Sequence, residues 1–386
     1  MNVPKLRFKE FTDVWKEYPL KYFTTPIKRK NINNESDLPL TISSLDGLVD
    51  QRTYFNKVVA SKDMSNYYLL KKGEFAYNKS YSVGFPFGSI KRLDKYNQGA
   101  LSSLYICFQV NNMNSDFIVK YFESPQWHKQ ISLCVAEGAR NHGLLNVNIN
   151  DFFSTKHFLP QLAEQEKIAN FLAIVDKKII NLENTITNLE NQKKGLLQQI
   201  FSQKLRFKDK NGNNYPNWEK KKIGLICSIS TGKSNTQDKI DNGKYPFYVR
   251  SATIERSSKY LYDEEATLTV GDGVGTGKVF HYVNGKYDLH QRCYRMFNFK
   301  NTHAKYFYYF FSSHFYNRVK RMSAKNSVDS VRMNMISDMI INLPCLEEQT
   351  KIADFLSAFD RKLENQKAQL EHWKQIKKGL LQQMFV

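Results

Sequence analysis

Two stretches of the chain, residues 160–201 and 344–385, place hydrophobic side chains at alternating steps of four and three residues. In the first stretch these positions are Ile168, Leu172, Val175, Ile179, Leu182, Ile186, Leu189, Lys193, Leu196 and Ile200. In the second they are Ile352, Leu356, Phe359, Leu363, Gln366, Leu370, Trp373, Lys377, Leu380 and Met384. This alternation is the 3.5-residue period of a coiled-coil seam, which Lys193, Lys377 and Gln366 interrupt. It predicts two long helices, each about 60 Å in length at ~1.5 Å per residue.

The two stretches are also copies of each other. Aligned without a gap at an offset of 184 residues, they are identical at 20 of 42 positions, from Pro160 and Pro344 to Phe201 and Phe385. A long and dissimilar segment precedes each copy, which indicates a duplicated unit of one globular segment and one helix. The first helix enters residues 202–343 through a short junction, and the second helix leaves that same segment. The helices are therefore expected to pair antiparallel within one chain.

The ends of the chain match the internal junction. Residues 195–209 read GLLQQIFSQKLRFKD, whereas the chain closes on GLLQQMFV and opens with MNVPKLRFKEF. Joining the two ends would nearly regenerate the junction. We therefore predict that the termini are neighbours, that an approximate two-fold axis relates the two halves, and that circular permutants of the chain fold.

The segments that precede the helices are rich in Tyr, Phe, Val and Ile runs, which Asn, Gly and Pro interrupt. This pattern predicts mixed α/β domains with a strand-rich half. Strands are expected in Ser65–Leu70, Gly99–Val110, Tyr245–Ser251 and Thr267–Val283, and helices in Asp116–Ser132 and Ala304–Ser323. The predicted fold class is α/β. Two mixed α/β globular domains, residues 1–159 and 202–343, are separated by two long antiparallel coiled-coil helices, residues 160–201 and 344–386, in a pseudo-two-fold tandem repeat.

The overall composition favours a soluble protein with a polyanionic partner. The chain is 41% hydrophobic and 24% charged, and its 57 Lys and Arg against 37 Asp and Glu give a net charge of +20. Such an excess points first to nucleic acid and second to a membrane surface. No apolar run approaches the ~20 residues of a membrane-spanning helix. The N-terminus has no signal-peptide core, so a cytoplasmic location is expected. The five cysteines form no C-x-x-C pair.

Catalytic and nucleotide-binding motifs are not found. No Pro-Pro pair exists, which excludes the N-P-P-Y loop of an amino-methyltransferase, and the histidines form no H-E-x-x-H motif. The run Gly271–Lys278 fails as a P-loop because Asp272 and Val279 stand where Gly and Ser or Thr are needed. It is interpreted as a tight turn between strands, with the alternative that its amides and Lys278 approach a phosphate. Asp263–Glu265 is interpreted as a solvated loop. No catalytic residue and no metal site are expected.

Cationic, amide and hydroxyl side chains come together at several places in both globular segments. Arg and Lys can address guanine edges or phosphates, and Asn and Gln can pair with adenine. Any one of these residues could be an exposed side chain without a partner, but as a set they indicate a DNA-binding surface. The candidates are Lys79, Tyr81, Lys91, Arg92, Arg140, Asn141 and His142 in the first segment and Arg250, Lys278, Arg292, Lys325, Asn326 and Arg332 in the second.

With these features the chain resembles the specificity subunits of type I restriction–modification enzymes. The resemblance rests on LPQLAEQEKIANFLAIVDKKI (159–179) and LPCLEEQTKIADFLSAFDRKL (343–363), each followed by a coiled-coil stretch and KKGLLQQ. Phe75–Ser103 is similar to the opening of a target-recognition domain of that family, and GDGVGTGKVF to its counterpart in another subclass. The resemblance spans the whole chain, in the order recognition domain, spacer helix, recognition domain, spacer helix.

The resemblance implies a non-catalytic protein that selects the double-stranded DNA sequence for two methyltransferase subunits and two ATP-dependent restriction subunits. The globular segments would then be target-recognition domains that each read one half of a split site. S-adenosylmethionine, ATP and Mg²⁺ would belong to the partner subunits. The expected partner-docking positions are Gln165, Phe171, Gly195, Gln349, Phe355 and Gly379.

Two other functions remain open from the sequence. One is a stand-alone DNA-binding regulator or architectural protein whose coiled coil pairs between chains rather than within one. The other is a coiled-coil scaffold that binds no DNA, which the charge of +20 disfavours. The size of the purified protein distinguishes the first alternative, and salt-dependent binding to a duplex distinguishes the second.

Overall fold

The computed structural model describes residues 3–135, 145–273, 275–322 and 330–386. The chain divides into two compact units. Unit 1 consists of Met1–Glu183 and Ala368–Val386, and unit 2 consists of Asn184–Lys367. Each unit therefore combines one globular segment with a part of each long helix. None of the described helices has both the length and the apolar character needed to cross a bilayer.

The strands of unit 1 form two four-stranded sheets and one two-stranded sheet. They are β1 (Lys16–Pro19), β2 (Thr24–Pro26), β3 (Pro39–Ser43), β4 (Gly47–Asp50), β5 (Tyr68–Lys71), β6 (Phe75–Asn78), β7 (Ser89–Arg92), β8 (Gln98–Leu101), β9 (Ile106–Val110) and β10 (Lys156–Leu159). The strand orders are β2-β9-β6-β7, β4-β3-β8-β5 and β1-β10. Only the β3–β8 pair is parallel within these sheets.

The strands of unit 2 repeat this topology in one six-stranded sheet and one two-stranded sheet. They are β11 (Glu219–Lys222), β12 (Ser228–Thr231), β13 (Tyr245–Tyr248), β14 (Ile254–Ser257), β15 (Tyr262–Val270), β16 (Phe280–Leu289), β17 (Cys293–Phe297) and β18 (Ile340–Leu343). The orders are β12-β17-β15-β16-β13-β14 and β11-β18, with β13–β16 as the parallel pair. The long strand β15 corresponds to β5 and β6 of unit 1, and β16 corresponds to β7 and β8.

The two units differ where unit 1 interrupts its central hairpin. Residues 72–74 separate β5 from β6, and Gly73 takes a positive φ of 88° there, which favours glycine. Both carboxylate oxygens of Glu74 accept from Arg29 Nη2, at 2.8 Å for Oε1 and 2.7 Å for Oε2. In unit 2 the equivalent strand β15 is continuous and contains Asp263–Glu265. The expectation of a solvated loop at Asp263–Glu265 was therefore wrong, because Glu264 pairs across the sheet with Arg295 at 2.5 Å.

Short helices flank the sheets, and two long helices contain the repeated stretches. The helices are α1 (Leu20–Phe23), α2 (Gln51–Phe55), α3 (Ser115–Glu123), α4 (His128–Cys134), α5 (Ile149–Ser154), α6 (Leu162–Phe201), α7 (Ile223–Ile226), α8 (Ala304–Met322), α9 (Met333–Ser337) and α10 (Leu346–Gln383). The 3₁₀ turns are Ile32–Asn34 and Thr236–Asp238. The helix expected over Asp116–Ser132 is broken after Glu123, because Pro125 holds the preceding residue in extended backbone.

The long helices run antiparallel in each unit. In unit 1, Asp176 near the start of α6 binds Lys377 near the end of α10 at 2.7 Å. In unit 2, Lys193 near the end of α6 binds Asp360 near the start of α10. The lysines that interrupt the hydrophobic seam are thus paired with carboxylates. Burial tends to lower the pKa of Lys377, but Glu123 and Asp176 outweigh it and raise the pKa above its ordinary value.

The seam that the sequence predicts forms the core of the helix pair. Ile168, Leu172 and Val175 are 0–4% exposed in unit 1, and Ile352 and Leu356 are fully buried in unit 2. The same side chains join the cores of the globular segments. The predicted mixed α/β domains, long antiparallel helices and tandem repeat are therefore confirmed.

The termini of the chain lie side by side in unit 1. The backbone N–H of Leu6 donates to the carbonyl of Gln383 at 2.9 Å, and Phe385 packs against Phe117 with ring centroids 5.4 Å apart. Unit 2 contains the same bond at the internal junction, where the N–H of Leu205 donates to the carbonyl of Gln199 at 3.1 Å. The prediction that the termini are neighbours is confirmed.

Candidate nucleic-acid interface

The glycine-rich run of unit 2 forms the loop between β15 and β16. Its backbone closes through hydrogen bonds from Thr276 N–H to Gly273 O and from Lys278 N–H to Gly275 O, both at 3.0 Å. Gly273 and Gly277 take positive φ angles of 86° and 65°. The tight turn predicted between strands is therefore present. Lys278 is exposed, with its Nζ 5.3 Å from the centroid of the Tyr316 ring.

Two arginines from neighbouring turns meet on one carboxylate of this loop. Arg250, after β13, places Nη1 3.4 Å from Asp272 Oδ1, and Arg292, between β16 and β17, places Nε 3.7 Å from Asp272 Oδ2. The arginine side chains are 49% and 63% exposed, whereas Asp272 is 28% exposed. Burial lowers the pKa of the adjacent His290, and the positive charge of Arg250 lowers it further.

A fourth segment joins the same loop. The N–H of Val331 donates to the carbonyl of Gly271 at 2.7 Å, and Asp272 forms an isolated bridge with Ser330. Arg332 follows directly, exposed at the start of α9. The candidates Arg250, Lys278, Arg292 and Arg332 thus belong to adjoining segments, which we call the unit 2 loop end (residues 249–253, 271–273, 275–279, 290–292 and 330–332). Lys325 and Asn326 lie outside the described residues.

Unit 1 has an equivalent loop end, built from the turn 44–46, the loop 79–88 between β6 and β7, and the segment from Leu145. The N–H of Leu145 donates to the carbonyl of Lys79 at 2.9 Å, as Val331 does to Gly271 in unit 2. The hydroxyl of Ser44 lies 3.2 Å from that of Ser82. Lys79 and the 59% exposed Tyr81 lie in this loop. Arg140, Asn141 and His142 are outside the described residues.

Two other candidates of unit 1 lie on β7, and one of them is paired within the fold. Arg92 is bonded to Asp94 and Asp116, both at 2.7 Å, and ties β7 to the start of α3. Lys91 is half-buried beside the helices, and burial lowers the pKa of its ammonium group. Of the described candidates in unit 1, Lys79 and Tyr81 are the ones at the loop end.

Most of the positive charge lies outside the long helices. Helix α6 has five Lys against five Asp and Glu, and α10 has seven Lys and Arg against six Asp and Glu. The net charge of +20 therefore belongs almost entirely to the globular segments. The positive charge that could neutralise phosphates therefore lies on the globular segments, and the helices are nearly neutral.

A contact that the sequence analysis missed holds each globular segment on its helix. In unit 1, Arg7 donates twice to the buried Glu164 at 2.7 Å, and Trp15 Nε1 donates to it at 3.3 Å. In unit 2, Arg206 donates to the buried Glu348 at 2.7 and 2.9 Å, with Trp218 Nε1 at 2.9 Å. The signal was present in the Leu-Arg-Phe-Lys and Trp shared by both segments. We call each set of contacts a helix seat.

The expected docking residues Gln165 and Gln349 are parts of the helix seats. Both are buried. The amide nitrogen of Gln165 donates to Pro160 O and that of Gln349 to Pro344 O, each at 2.8 Å. Their amide oxygens accept backbone N–H groups of the globular segments, from Asn114 at 2.9 Å and His303 at 2.8 Å.

Phe171 and Phe355 are half-buried at the same seats. Phe8 packs edge-on against Phe171 at 5.7 Å between ring centroids, and Phe207 packs in the same way against Phe355 at 5.5 Å. Because Phe8 and Phe207 follow the seat arginines, one short motif supplies both the ion pair and the ring contact. These aromatic docking candidates are therefore partly covered by the chain itself.

The KKGLLQQ copies line two equivalent grooves. One groove of about 430 Å³ in unit 1 has Lys374, Lys378, Leu381 and Gln382 along the helix side. One groove of about 870 Å³ in unit 2 has the equivalent positions Glu190, Lys194, Leu197 and Gln198. A Cβ at Gly195 would meet no atom of the described residues within 4 Å, and one at Gly379 would meet only Gln383 Nε2 at 3.8 Å. Both glycines therefore face open space.

No metal centre is found in the described part of the chain, since no three His, Cys, Asp or Glu side chains there could hold an ion together.

Residues 215–372 match the family described as the type I restriction modification DNA specificity domain.

Curated relatives carry the same description. The chain is 26% identical over 165 residues to the EcoDI specificity subunit of Escherichia coli, covering 43% of this chain and 36% of that protein. It is 24% identical over 314 residues to the MjaVIII specificity subunit of Methanocaldococcus jannaschii, covering 74% of this chain and 73% of that protein. The chain thus aligns with about a third of the E. coli relative's length.

Solved structures share the fold. The S subunit of a type I restriction–modification system from M. genitalium covers 100% of this chain and 99% of its own length, with a TM-score of 0.64 at 15% identity. A structure described as explaining complex assembly and conformational transition of the type I system covers 95% of this chain with a TM-score of 0.55 at 15% identity. Residues 215–372 thus match the type I restriction modification DNA specificity domain, and the whole chain shares the fold of solved type I S subunits.

Proposed function

We propose that this chain is the sequence-specific DNA-binding subunit of a type I restriction–modification complex and that each globular domain reads one half of a bipartite target. The observation that carries the proposal is the pair of equivalent loop ends on identically built helix seats. The described loop ends differ in sequence, since unit 2 carries Arg250, Asp272 and Arg292, whereas the unit 1 loop end carries Ser44, Ser82 and Tyr81. The two half-sites should therefore differ.

The chemistry belongs to partner subunits in this proposal. Two methyltransferase subunits, with S-adenosylmethionine, would modify the target, and two restriction subunits, with ATP and Mg²⁺, would translocate and cleave DNA. The chain itself would act as a cytoplasmic, non-catalytic selector. The absence of methyltransferase and P-loop motifs from the sequence supports this division.

The helices would provide the docking surface for the methyltransferases. Their charges nearly cancel, and the repeated KKGLLQQ faces border two open grooves. Gly195 and Gly379 leave room for another backbone to approach the helices there. Two equivalent grooves support two copies of one partner. Gln165 and Gln349 would contribute indirectly, by holding the helix seats.

The helices would also set the distance between the two half-sites. The proposed domains are residues 1–159, 160–201, 202–343 and 344–386. Two readers that address the same face of a duplex need half-sites about one turn apart, roughly 10 bp between centres. If each reader covers about 3–4 bp, a gap of ~6–7 unspecified pairs follows. The length of α6 and α10 would set this gap.

Mapping of methylated adenines by single-molecule sequencing tests the proposal. A strain with the gene and its partner methyltransferase should show one bipartite motif of two unlike half-sites, and a strain without the gene should lose it. Exchanging residues 202–343 for the second domain of another family member should change one half-site and leave the other unchanged. A change in both halves would show that the domains do not read independently.

A stand-alone regulator that dimerises through its coiled coil is less well supported. Within each unit the long helices already pair with each other, as the ion pairs at Asp176 and Asp360 illustrate. The purified chain should therefore be a monomer that recruits other proteins.

A further inference from the structure

We propose that Asp272 positions Arg250 and Arg292 to read a G·C pair and that the half-site recognised by residues 202–343 therefore contains a guanine. This inference rests on the proposed function and assigns part of its base specificity to three residues of the unit 2 loop end. Arg250 and Arg292 would contact the bases, and Asp272 would be the positioning residue.

The first step is the convergence of three separate turns. Arg250 comes from the turn after β13, Arg292 from the turn between β16 and β17, and Asp272 from the loop between β15 and β16. The carboxylate accepts a hydrogen bond from Arg250 Nη1 at 3.4 Å and forms an ion pair with Arg292, whose Nε lies 3.7 Å from Oδ2. Two long side chains from different turns are thereby held toward each other before DNA arrives, which reduces the entropy lost on binding.

The second step is that Asp272 is itself fixed. It bridges Ser330, and its neighbour Gly271 accepts the Val331 N–H at 2.7 Å and donates to Arg292 O at 2.8 Å. A Cβ added at Gly271 would lie 2.6 Å from Arg292 O. The loop therefore lies directly against the turn that carries Arg292, and the backbone that carries the carboxylate cannot move away without breaking these contacts.

The third step is the chemistry of the remaining donors. Arg250 uses Nη1 and Arg292 uses Nε toward Asp272, and no other hydrogen-bond partner of either guanidinium is found among the described residues. The remaining N–H groups of each half-exposed fork can bind outward. Arginine bound through two N–H groups to O6 and N7 is the commonest specific contact to guanine.

The fourth step separates base reading from phosphate binding. A carboxylate between two arginines disfavours a phosphate there, because it repels the phosphate charge. Next to a base pair the same carboxylate is useful, since it orients the arginines and can itself accept from the N4 amine of cytosine. The equivalent turn in unit 1 carries Ser44, whose hydroxyl lies 3.2 Å from those of Ser82 and Ser89.

The test uses the purified methyltransferase complex and the methylome of cells that express it. The variants are Arg250→Lys and Arg292→Lys, which keep the positive charge, and Asp272→Asn, which keeps the side-chain size but removes the negative charge. Arg256→Lys is the matched control, because Arg256 donates to the carbonyls of Gly243 and Lys244 in the same unit and lies outside the loop end. Methylation rates are compared on duplexes that carry the target or a single changed base pair.

At least one arginine variant and Asp272→Asn should lose discrimination at the same G·C pair of one half-site, by about 5- to 150-fold. The other half-site and the gap should be unchanged, which also shows that the variant complex is folded. Arg256→Lys should behave like the wild type. Relaxation confined to one base pair would not arise from a merely structural role for Asp272.

Three outcomes would overturn the inference while the proposed function stands. The half-site that changes on exchange of residues 202–343 could contain no guanine. The variants could slow methylation of every duplex equally, which would make the arginines phosphate contacts. The variants could leave the target unchanged. A wild-type complex that methylates no bipartite motif would instead overturn the proposed function and this inference with it.

Discussion

Arg206 and Arg250 both lie beside a carboxylate, but the burial of that carboxylate gives them different roles. Glu348 is fully buried, so Arg206 neutralises a charge that water cannot reach. The hydrogen bond with Glu348 raises the pKa of Arg206 above its already high value. Asp272 is 28% exposed, and the Arg250 beside it is 49% exposed and can turn toward a ligand. The first pair therefore holds the fold together, and the second is available for binding.

The seat pair makes a stability prediction. Replacing Arg206 with alanine leaves the buried Glu348 with the Trp218 N–H at 2.9 Å and without a cation. Removing one member of a buried ion pair typically costs about 3–5 kcal/mol, because the remaining charge stays uncompensated. We expect a loss of about 3 kcal/mol in the free energy of unfolding of unit 2, measured by urea denaturation followed by tryptophan fluorescence.

The matched control is Arg52→Ala. Arg52 pairs with Asp50 at 2.9 Å, but the arginine is 45% exposed, so the loss should be below about 1 kcal/mol. Equal losses from the Arg206 and Arg52 variants would contradict the role assigned to the seat.

Residue-level contacts were the part of the structure that the sequence analysis predicted least well. Arg7 and Glu164 are 157 residues apart, and no local pattern connects them. The repetition of Leu-Arg-Phe-Lys at the start of both segments was visible in the sequence. Its role could be recognised only together with the carboxylates that the arginines bind, Glu164 and Glu348. Gln165 and Gln349 were expected at a partner interface because they stand in the repeated motif, yet a shared residue can equally serve a shared internal contact.

At the scale of elements, the two long helices were predictable because their pattern persists over 42 residues. A 3.5-residue period sustained this far has few other structural solutions. Shorter elements were harder to predict. Asp116–Ser132 has a helical period throughout, but a single proline at position 125 divides it into α3 and α4. Asp263–Glu265 is polar in sequence, but the pairing of β15 with β16 incorporates it into a strand.

The helix pair makes a prediction about spacing. Deleting one heptad at equivalent positions of α6 and α10 shortens both helices by about 10 Å, at ~1.5 Å per residue, and preserves the hydrophobic seam. Methylome sequencing of such a strain should show a shorter gap between two unchanged half-sites. Deleting the heptad from α6 alone is the control, because it breaks the antiparallel register and should abolish methylation. An unaltered gap in the double deletion would exclude the helices as the determinant of spacing.

At the scale of the whole molecule, the chain ends make a prediction about connectivity. The Leu6–Gln383 bond spans the termini of unit 1, whereas the equivalent Leu205–Gln199 bond of unit 2 spans a continuous chain. A permutant that joins residue 386 to residue 3 through a short linker and opens between Ser202 and Lys204 should therefore fold. It should also form the methyltransferase complex and direct methylation to the same bipartite motif.

The permutant is checked by size-exclusion chromatography with the methyltransferase and by methylome sequencing. A permutant opened inside β15 is the matched control and should be insoluble, because that strand pairs on both sides in its sheet. If the first permutant were equally insoluble, the result would contradict the structural equivalence of the two junctions.

The helix seats have a consequence for inheritance. Both seats use the same residue types, so a globular segment that fits one helix meets the matching glutamate, glutamine and phenylalanine on the other. Recombination between the duplicated coding stretches could therefore move a domain between the two positions, or import one from another strain, without a new interface having to evolve. A cell would acquire a different methylation pattern in a single genetic event.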